Sequence, residues 1–244
     1  MTVRVLQSKA EIYAARQELR RQGLSQISRW QSQTMQRIAQ KLRLTAKINV
    51  GDVVKSWDIL NTARFIRKNV PLDAPILDVG VYASEILCVL HRLRYSTLIG
   101  IDLNPDISRM PNADAIHYLV ANLLKAPFRA ESFGAITAIS VIEHGFQSQQ
   151  LLAEVSRLLR PGGYFIASFD YWPEKIDTRG VKIFGMDWRI FSSGDVSVFL
   201  DQAKVHALNP VGEVTLEASV PTMEWAGKHY TFAWLAVQKT PSSC

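Results

Sequence analysis

The segment ILDVGVYASEI, residues 76–86, constrains the fold of this chain more than any other part of its sequence. It reads as a short apolar strand, a tight turn at Gly80 and the beginning of a helix, and a second strand-like run, LIGID, follows and ends at Asp102. This succession is typical of a doubly wound α/β sheet, which forms nucleotide pockets at the carboxyl ends of its strands. Asp102 stands 22 positions after Gly80, close to the ~20-residue spacing at which such a carboxylate meets a ribose diol.

Length and composition fit one globular domain with a terminal extension. A chain of 244 residues can bury one substantial core, and 48% hydrophobic with 20% charged residues is ordinary for a globular protein. No apolar run approaches the ~18 residues of a membrane span. The first twenty residues are charged throughout and lack the apolar centre of a signal peptide. The two cysteines, Cys88 and Cys244, suggest neither a disulfide nor a metal site. We therefore expect a cytoplasmic protein.

The positive charge is concentrated near the N-terminus. Residues 1–70 carry 14 Lys and Arg against 4 Asp and Glu, whereas residues 71–244 carry 14 against 18. Such a basic segment suggests an anionic partner or a membrane surface. The alternative is that its basic side chains are solvated faces of amphipathic helices; they include Arg16, Arg20, Arg21, Arg37, Lys41 and Arg43. No aromatic residues alternate with basic ones as a base-stacking surface would require, so nucleic acid is the least favoured partner.

The pattern of apolar residues changes near residue 75. Before it, helices are predicted over residues 9–22, 27–42 and 55–69, the last ending before Pro71. After it, strands are predicted at residues 76–80, 96–102, 115–121, 135–140, 163–169, 213–219 and 230–238, with helices at 85–93, 149–159 and 195–207. This alternation implies βαβ crossovers and a parallel sheet. No helix separates the last two strands, which predicts a final hairpin and an antiparallel last strand. We predict a helical extension over residues 1–70 and one α/β domain over residues 71–240.

The ordered series ILDVG, IGIDLNP, NLLKAPF, VIEHG and LLRPGG resembles the class I S-adenosylmethionine-dependent methyltransferases, including branches associated with glycan biosynthesis. The resemblance covers about residues 75–240 and leaves the helical extension unassigned. It implies a Rossmann-like, doubly wound sheet of seven strands whose last strand is antiparallel. It also implies S-adenosylmethionine as the cofactor.

The resemblance assigns cofactor roles to five residues. Asp78 would lie near the methionine part of the cofactor, and Gly80 would let the backbone approach the ligand. Asp102 would bind the ribose hydroxyls, Leu103 would pack against adenine, and Asn122 would accept a hydrogen bond from the adenine amino group, where the family usually has an acid. Asp102 and Asn122 could instead serve only as turn or helix-capping residues.

The turn departs from the family pattern at two positions. The second and third turn glycines of the family fall on Tyr82 and Ser84. Tyr82 does not adopt a positive φ as readily as glycine, so the loop is expected to take another path. Ser84 is expected to cap the following helix. These two residues leave open whether cofactor binding is weakened or lost.

A histidine at the exit of the fourth strand is the candidate base. Methylation of a hydroxyl requires the acceptor to lose a proton, and histidine is the side chain that titrates near neutral pH. We predict that His144 is this base and that the adjacent Glu143 orients the loop or the cofactor. The alternative is a structural hydrogen-bonding role for His144 between the strand end and the loop.

The segment 169–191 after the fifth strand is long for a βα loop and mixes acids with aromatic residues. Aromatic rings beside carboxylates suit a sugar, so four residues are predicted to contact the acceptor: Asp170, Tyr171, Trp172 and Asp177. A surface loop with core-anchoring aromatic residues is the alternative. We assign no metal site, although Asp170 with Asp177 or Glu174 would offer hard oxygen ligands to Mg²⁺.

The sequence thus predicts an enzyme that methylates a hydroxyl of a small-molecule or glycan-like acceptor. No Asn/Asp-Pro-Pro-aromatic run follows the fourth strand, which argues against amino-group methylation of bases. Two alternatives stay open. The acceptor could be a phenolic or quinone precursor, or the chain could be a non-catalytic protein of this fold that acts as a partner or scaffold.

Overall fold

The computed structural model describes residues 3–27, 48–145, 147–183 and 185–241. The α-helices in these ranges are α1 (Lys9–Arg21), α2 (Ser56–Asn69), α3 (Ile86–Arg92), α4 (Ser148–Leu158) and α5 (Ser193–Val205). The strands are β1 (Val3–Val5), β2 (Ile76–Val79), β3 (Leu98–Asp102), β4 (Ile116–Val120), β5 (Phe133–Ile139), β6 (Leu159–Tyr171), β7 (Lys182–Ile183), β8 (Met186–Asp187), β9 (Leu208–Pro210), β10 (Met223–Trp225) and β11 (Lys228–Lys239).

The central sheet has the strand order β1-β11-β6-β5-β2-β3-β4, and β9 and β10 also pair with β11. The pairs from β4 to β6 are parallel, whereas β11 is antiparallel to β6. The predicted mostly parallel sheet with a reversed last strand is therefore confirmed. Because β2 lies in the middle, its four residues are all buried, as expected of a strand covered on both faces.

The predicted strand at residues 213–219 is wrong. This segment forms a single bridge, between Val214 and Val3, and residues 213–215 are exposed. The antiparallel neighbours of β11 at this edge are instead β1, which was predicted to be part of a helical extension, and β9. Strand pairing depends on which apolar residues the surrounding structure can bury, and Val3 and Val5 are both buried here.

The predicted final hairpin exists with a different first strand. β10 pairs with β11 so that Trp225 lies opposite Lys228. The two residues of the turn, Ala226 and Gly227, have φ values of 50° and 70°, as a two-residue turn with both central residues at positive φ requires.

The N-terminal helices pack on the sheet. α1 and α2 confirm two of the three predicted helices, while residues 28–47, which include most of the third, lie outside the described residues. Side chains of α1 and α2 share one apolar cluster with α3, and α4 and α5 cover the opposite face. The domain boundary at residue 70 stays a prediction. None of the helices in the described ranges is long and apolar enough to span a bilayer.

Candidate functional site

The turn after β2 is held by close packing. Gly80 has a φ of 72°, and a Cβ built on it would lie 2.5 Å from Cγ2 of Val141, in the loop after β5. The second positive φ of this turn is 60° at Ala83 and not at Tyr82. The Ser84 hydroxyl accepts a hydrogen bond from the Ile86 N–H at 3.4 Å. The loop therefore forms without glycine at Tyr82 and Ser84, because Ala83 adopts the second positive φ.

Asp102 ends β3 with its carboxylate fixed by two backbone amides. Oδ2 accepts from the Tyr82 N–H at 2.9 Å, and Oδ1 accepts from the Asn104 N–H at 2.8 Å. A carboxylate offers about four acceptor positions, so each oxygen can accept one further bond. The next side chain, Leu103, is 60% exposed. A carboxylate beside an exposed apolar side chain offers hydrogen bonds for a ribose diol and a flat contact for a base.

Asn122 stands at the end of the neighbouring strand β4. Its side-chain oxygen accepts from the Leu124 N–H at 2.9 Å and so caps a short 3₁₀ helix, Leu123–Lys125. Asn122 therefore acts as a helix-capping residue, which was the alternative considered for it. A second lone pair on that oxygen stays available for a ligand, so this contact does not exclude the predicted role.

Asp78 is buried at the end of β2. Its Oδ1 accepts from the Thr137 hydroxyl at 2.6 Å, whereas Oδ2 has no hydrogen-bond partner among the described residues. Burial raises the pKa of this carboxyl to about 7. A buried polar atom without a partner is rare. Two residues before Gly80, this oxygen fits a ligand with donor groups at the carboxyl edge of β2.

A second polar group lies on the same side of the sheet, at the ends of β5 and β6. It consists of Lys55, Asp58, Glu143 and Asp170, and we call it the Lys55 cluster. The Lys55 ammonium contacts the Ser140 hydroxyl, lies 4.0 Å from Oδ2 of Asp58 and stands 3.5 Å from the centre of the Phe232 ring. Ser140, at the exit of β5, has a φ of 53°, a conformation that is uncommon for a non-glycine residue and is often found at functional sites.

Burial dominates the titration of the three carboxyl groups of the Lys55 cluster. It raises the pKa of Asp58 to about 7 and raises the pKa values of Glu143 and Asp170, against the opposing effect of the Lys55 charge. Both oxygens of Asp58 and Oε2 of Glu143 lack hydrogen-bond partners in the described part of the chain. One ammonium thus faces three carboxyl groups, and the cluster is able to hold protons near neutral pH.

His144 follows Glu143 in the loop after β5. Its backbone N–H donates to the Val141 carbonyl at 3.0 Å, and its backbone also forms a bridge with Trp188. Burial, together with the positive charge of Lys55, lowers the pKa of the imidazole to about 4. The side chain is therefore neutral at pH 7. The backbone carbonyl of the adjacent Glu143 accepts from the Arg189 N–H at 2.9 Å, and the orienting role of the Glu143 side chain stays a prediction.

The structure does not bring the four predicted acceptor residues together. Asp170 belongs to the Lys55 cluster, with its Oδ2 accepting from the Trp188 indole N–H at 2.7 Å. Tyr171 points to the opposite face of the sheet, where its hydroxyl bonds to Ser193 at 2.8 Å. Trp172 is half-buried against the apolar cluster that α1, α2 and α3 share. Asp177 is exposed and ion-paired with Arg179 at 2.8 Å.

Asp177 therefore cannot join Asp170 in a cation site in this conformation. Among the residues described, no group of three or more His, Cys, Asp or Glu side chains is placed to hold a metal ion.

Sequence reasoning missed Lys55, Asp58 and Trp188. Lys55 and Asp58 are three residues apart at the beginning of α2, where a charged pair would ordinarily be solvated, whereas Asp58 is completely buried. The available signal was an acid within the otherwise apolar face of this helix. Trp188 offered no such signal, since its link to Asp170 depends on the path of the β7–β8 hairpin.

Comparison with known proteins finds a family model that matches part of the chain. Residues 77–167 match the family model described as "Methyltransferase domain". No curated protein matches the chain by sequence. The matched segment contains Asp78, Gly80, Asp102, Asn122 and His144, whereas Lys55, Asp58 and Asp170 of the Lys55 cluster lie outside it.

Solved structures share the fold at low identity. Geranyl diphosphate C-methyltransferase from Streptomyces coelicolor A3(2) is 16% identical with a TM-score of 0.55, over 74% of this chain and 80% of that one. A 1,6-didemethyltoxoflavin-N1-methyltransferase from Burkholderia thailandensis is 15% identical with a TM-score of 0.55, over 75% and 78%. The [4+2]-cyclase SpnF is 12% identical with a TM-score of 0.50, over 75% and 81%.

Residues 77–167 are therefore similar to a methyltransferase domain, and the chain shares the fold of these methyltransferases. The similarity supports S-adenosylmethionine as the cofactor. The fold does not decide the atom that is methylated. The two similar methyltransferases are named for carbon and nitrogen acceptors, and the third similar structure is named as a cyclase.

Proposed function

We propose that this protein transfers the methyl group of S-adenosylmethionine to a hydroxyl oxygen of a small organic acceptor, and that His144 receives the acceptor proton. The observation that carries the proposal is the contact between the cofactor turn and the loop that bears His144. Gly80 packs so closely on Val141 that a Cβ would lie 2.5 Å from it. His144 lies three residues after Val141, and its backbone N–H donates to the Val141 carbonyl.

The cofactor would be held along the carboxyl edge of β2, β3 and β4. Asp102 would accept the ribose hydroxyls, Leu103 would pack against the adenine ring, and Asn122 would accept from its amino group. Asp78 would meet the methionine part through its unpartnered oxygen. When bound there, S-adenosylmethionine supplies an electrophilic methyl carbon on a sulfonium sulfur.

The acceptor would be positioned beside the loop after β5. The neutral imidazole of His144 would take the proton that the acceptor hydroxyl loses as it is methylated, and the demethylated cofactor would leave as a thioether. Correct orientation of the two reactants accounts for much of the rate in such a reaction. Because burial keeps the imidazole weakly basic, the proton would pass on to the Lys55 cluster, whose carboxyl groups have raised pKa values.

A phenolic acceptor is the second candidate. Aromatic rings flank the Lys55 cluster. The ring of Trp188 lies edge-on to those of Trp225 and Tyr230, at 5.1 and 5.6 Å between ring centres. The ring of Tyr230 in turn contacts that of Phe232 at 6.3 Å. Such a set favours a planar ring over a flexible chain. A glycan-like acceptor has less support, because Tyr171 and Asp177 lie away from Asp170; Trp172 is the one ring of the predicted set against the apolar cluster of α1, α2 and α3.

The proposal is tested with methyl-labelled S-adenosylmethionine. The purified protein is incubated with the labelled cofactor and a small-molecule extract of its host, and the labelled product is isolated and identified. We expect a methyl ether. A labelled N-methyl or C-methyl product would show that the methylated atom is nitrogen or carbon. The protein would still be a methyltransferase. Absence of cofactor binding by calorimetry at millimolar concentration, in a folded sample, would reject the enzyme itself and leave the scaffold role.

A further inference from the structure

Arg16 of α1 is buried, with 2% of its surface exposed, although its charge predicted a solvated position. Its guanidinium forms five hydrogen bonds. Nε donates to the Ser56 hydroxyl at 2.9 Å, one bond goes to the Ser25 hydroxyl at 3.0 Å, and one goes to the Asp52 carbonyl at 2.9 Å. The remaining two go to the carboxylate of Glu85: Nη1 donates to Oε2 at 3.1 Å and Nη2 donates to Oε1. All five N–H donors of the group are thereby used.

Glu85 connects this network to the cofactor turn. It is the residue directly after the turn at 80–84 and directly before α3. Its carboxylate is also buried, and Oε2 accepts a further bond from the Gln26 N–H at 3.1 Å. Arg16 of α1 and Gln26 of the segment after it therefore bond to a single carboxylate beside the turn, and Ser56 at the beginning of α2 joins this network through Arg16.

A second contact joins the same segments to the turn itself. The Gly51 N–H donates to the carbonyl of Ala83 at 2.9 Å, and Ala83 is the turn residue with the left-handed φ. A Cβ on Gly51 would lie 3.1 Å from Cδ of Glu85. The conformation that replaces the missing glycines is thus supported from the N-terminal side of the molecule.

We propose that Arg16 is a positioning residue for the cofactor: through Glu85 it holds the turn at 80–84 in its ligand-binding conformation. The N-terminal segment, whose role the sequence leaves open, becomes part of the cofactor site without touching the cofactor. The inference rests on S-adenosylmethionine as the cofactor. A buried ion pair is suited to this task, because loss of either partner leaves an uncompensated buried charge next to the turn.

Coupling of this kind is reciprocal. If the Arg16–Glu85 pair stabilises the binding conformation of the turn, the bound cofactor must stabilise the pair and the segments that it joins. Cofactor affinity and the local stability of α1 are therefore two independent readouts of the same proposal.

The first experiment compares two arginines of α1. Arg16→Met removes the buried pair, while Arg21→Met removes an exposed pair with Glu18 on the same helix, in which the arginine side chain is 75% exposed. The affinity for S-adenosylhomocysteine, an inert probe, is measured by calorimetry on samples whose urea unfolding shows a folded state. Coupled sites typically change affinity by roughly 5- to 150-fold; we expect at least about tenfold weaker binding for Arg16→Met and less than about twofold change for Arg21→Met.

Two further variants separate positioning from general stability. Arg16→Lys keeps the charge but loses the forked geometry, so we expect an intermediate affinity. Glu85→Gln should weaken binding as Arg16→Met does, and the double variant should be no weaker than the worse single one, because both changes break the same link. Additive losses would contradict the proposal, as would a folded Arg16→Met protein that binds the probe like the wild type.

Hydrogen exchange of the wild-type protein supplies a test that needs no variant. Saturating S-adenosylhomocysteine should slow amide exchange within residues 11–26, and unchanged exchange in that range would overturn the inference even if Arg16→Met does not fold. A wild-type protein that fails to bind the probe rejects the cofactor assignment. A wild type that binds, with variants that bind equally well, rejects only the role of Arg16.

Discussion

Burial determines what the individual side chains of this site can do. It lowers the pKa of His144 to about 4 and raises those of Asp58 and Asp78 to about 7. At pH 7 the imidazole is therefore neutral, whereas burial keeps protons on the two carboxyl groups to higher pH than is usual. The residue that usually accepts protons near neutral pH is here a weak base, and groups that are usually ionised are able to hold a proton.

Replacement of His144 by alanine tests its role as the base. Loss of a positioned proton acceptor typically lowers a rate by about 10²- to 10⁴-fold, and we expect kcat to fall within that range while the affinity for S-adenosylhomocysteine is unchanged. His117→Ala is the control, since His117 is exposed on β4. Weaker cofactor binding with little change in kcat would instead assign His144 a structural role.

Asp102→Asn tests the ribose contact. The amide keeps one acceptor oxygen but loses the charge, and a hydrogen bond to a charged group contributes about 1.5–3 kcal/mol. We expect S-adenosylhomocysteine to bind at least about tenfold more weakly by calorimetry. Asp106→Asn is the matched control, because this acid lies in the same loop and is half-exposed. Equal losses in both variants would show that the loop, and not the Asp102 carboxylate, determines affinity.

At the scale of elements, the site forms where two strand ends meet. The end of β2 and its turn carry Asp78 and Gly80, and the loop after β5 carries Glu143 and His144. The adjacency of β2 and β5 in the sheet places them side by side. The β7–β8 hairpin then folds back on the same edge, so that Trp188 reaches Asp170. Ligand sites in open α/β sheets form at this edge.

Gly80→Ala tests the close approach of these two elements. Gly80 and Gly162 both have a positive φ, 72° and 79°, but a Cβ at Gly162 meets no atom within 4 Å. Alanine at Gly162 should therefore cost only the backbone term of about 1 kcal/mol in the free energy of unfolding. At Gly80 the clash with Val141 adds roughly 1–3 kcal/mol. Urea unfolding measures both, and equal losses would contradict the close packing of the turn.

At the scale of the whole molecule, the Lys55 cluster makes folding depend on pH. Asp58 has an ordinary pKa of about 3.9 when unfolded and about 7 when folded. Between these values the folded protein keeps a proton that the unfolded chain releases. The contribution of Asp58 to the free energy of unfolding is therefore fully present below about pH 4, and it is lost as the pH rises toward 7. The charged groups that affect Asp58 are Lys55 and Asp170.

Asp58→Asn should remove this dependence. Relative to the variant, the wild-type protein should lose up to about 4 kcal/mol in the free energy of unfolding between pH 4 and pH 7. Urea unfolding at several pH values provides the measurement. Asp114→Asn, which changes an exposed acid, should run parallel to the wild type. Parallel curves for Asp58→Asn as well would mean that Asp58 titrates normally in the folded state.

Local patterns predicted most of the α/β core. Strands β2 to β6 and β11 were predicted within a few residues, except that β6 extends further at both ends, because short apolar runs and turn residues are local signals. The edge of the sheet was not predictable in this way. The segment 213–219 has a strand-like composition, yet Val3–Val5 pairs with β11 instead, since the choice depends on two ends of the chain that no local pattern connects.

The sequence alone determined the strand, turn, helix and strand from Ile76 to Asp102, and with them the carboxyl edge at which we propose that the cofactor binds. Those features follow from local backbone preferences and from the alternation of apolar residues. The tertiary structure alone decided that Arg16 is buried against Glu85 and that Lys55, Asp58, Glu143 and Asp170 share one buried cluster. The chemistry of such groups depends on burial and on charged neighbours from distant parts of the chain, and only the folded protein brings these together.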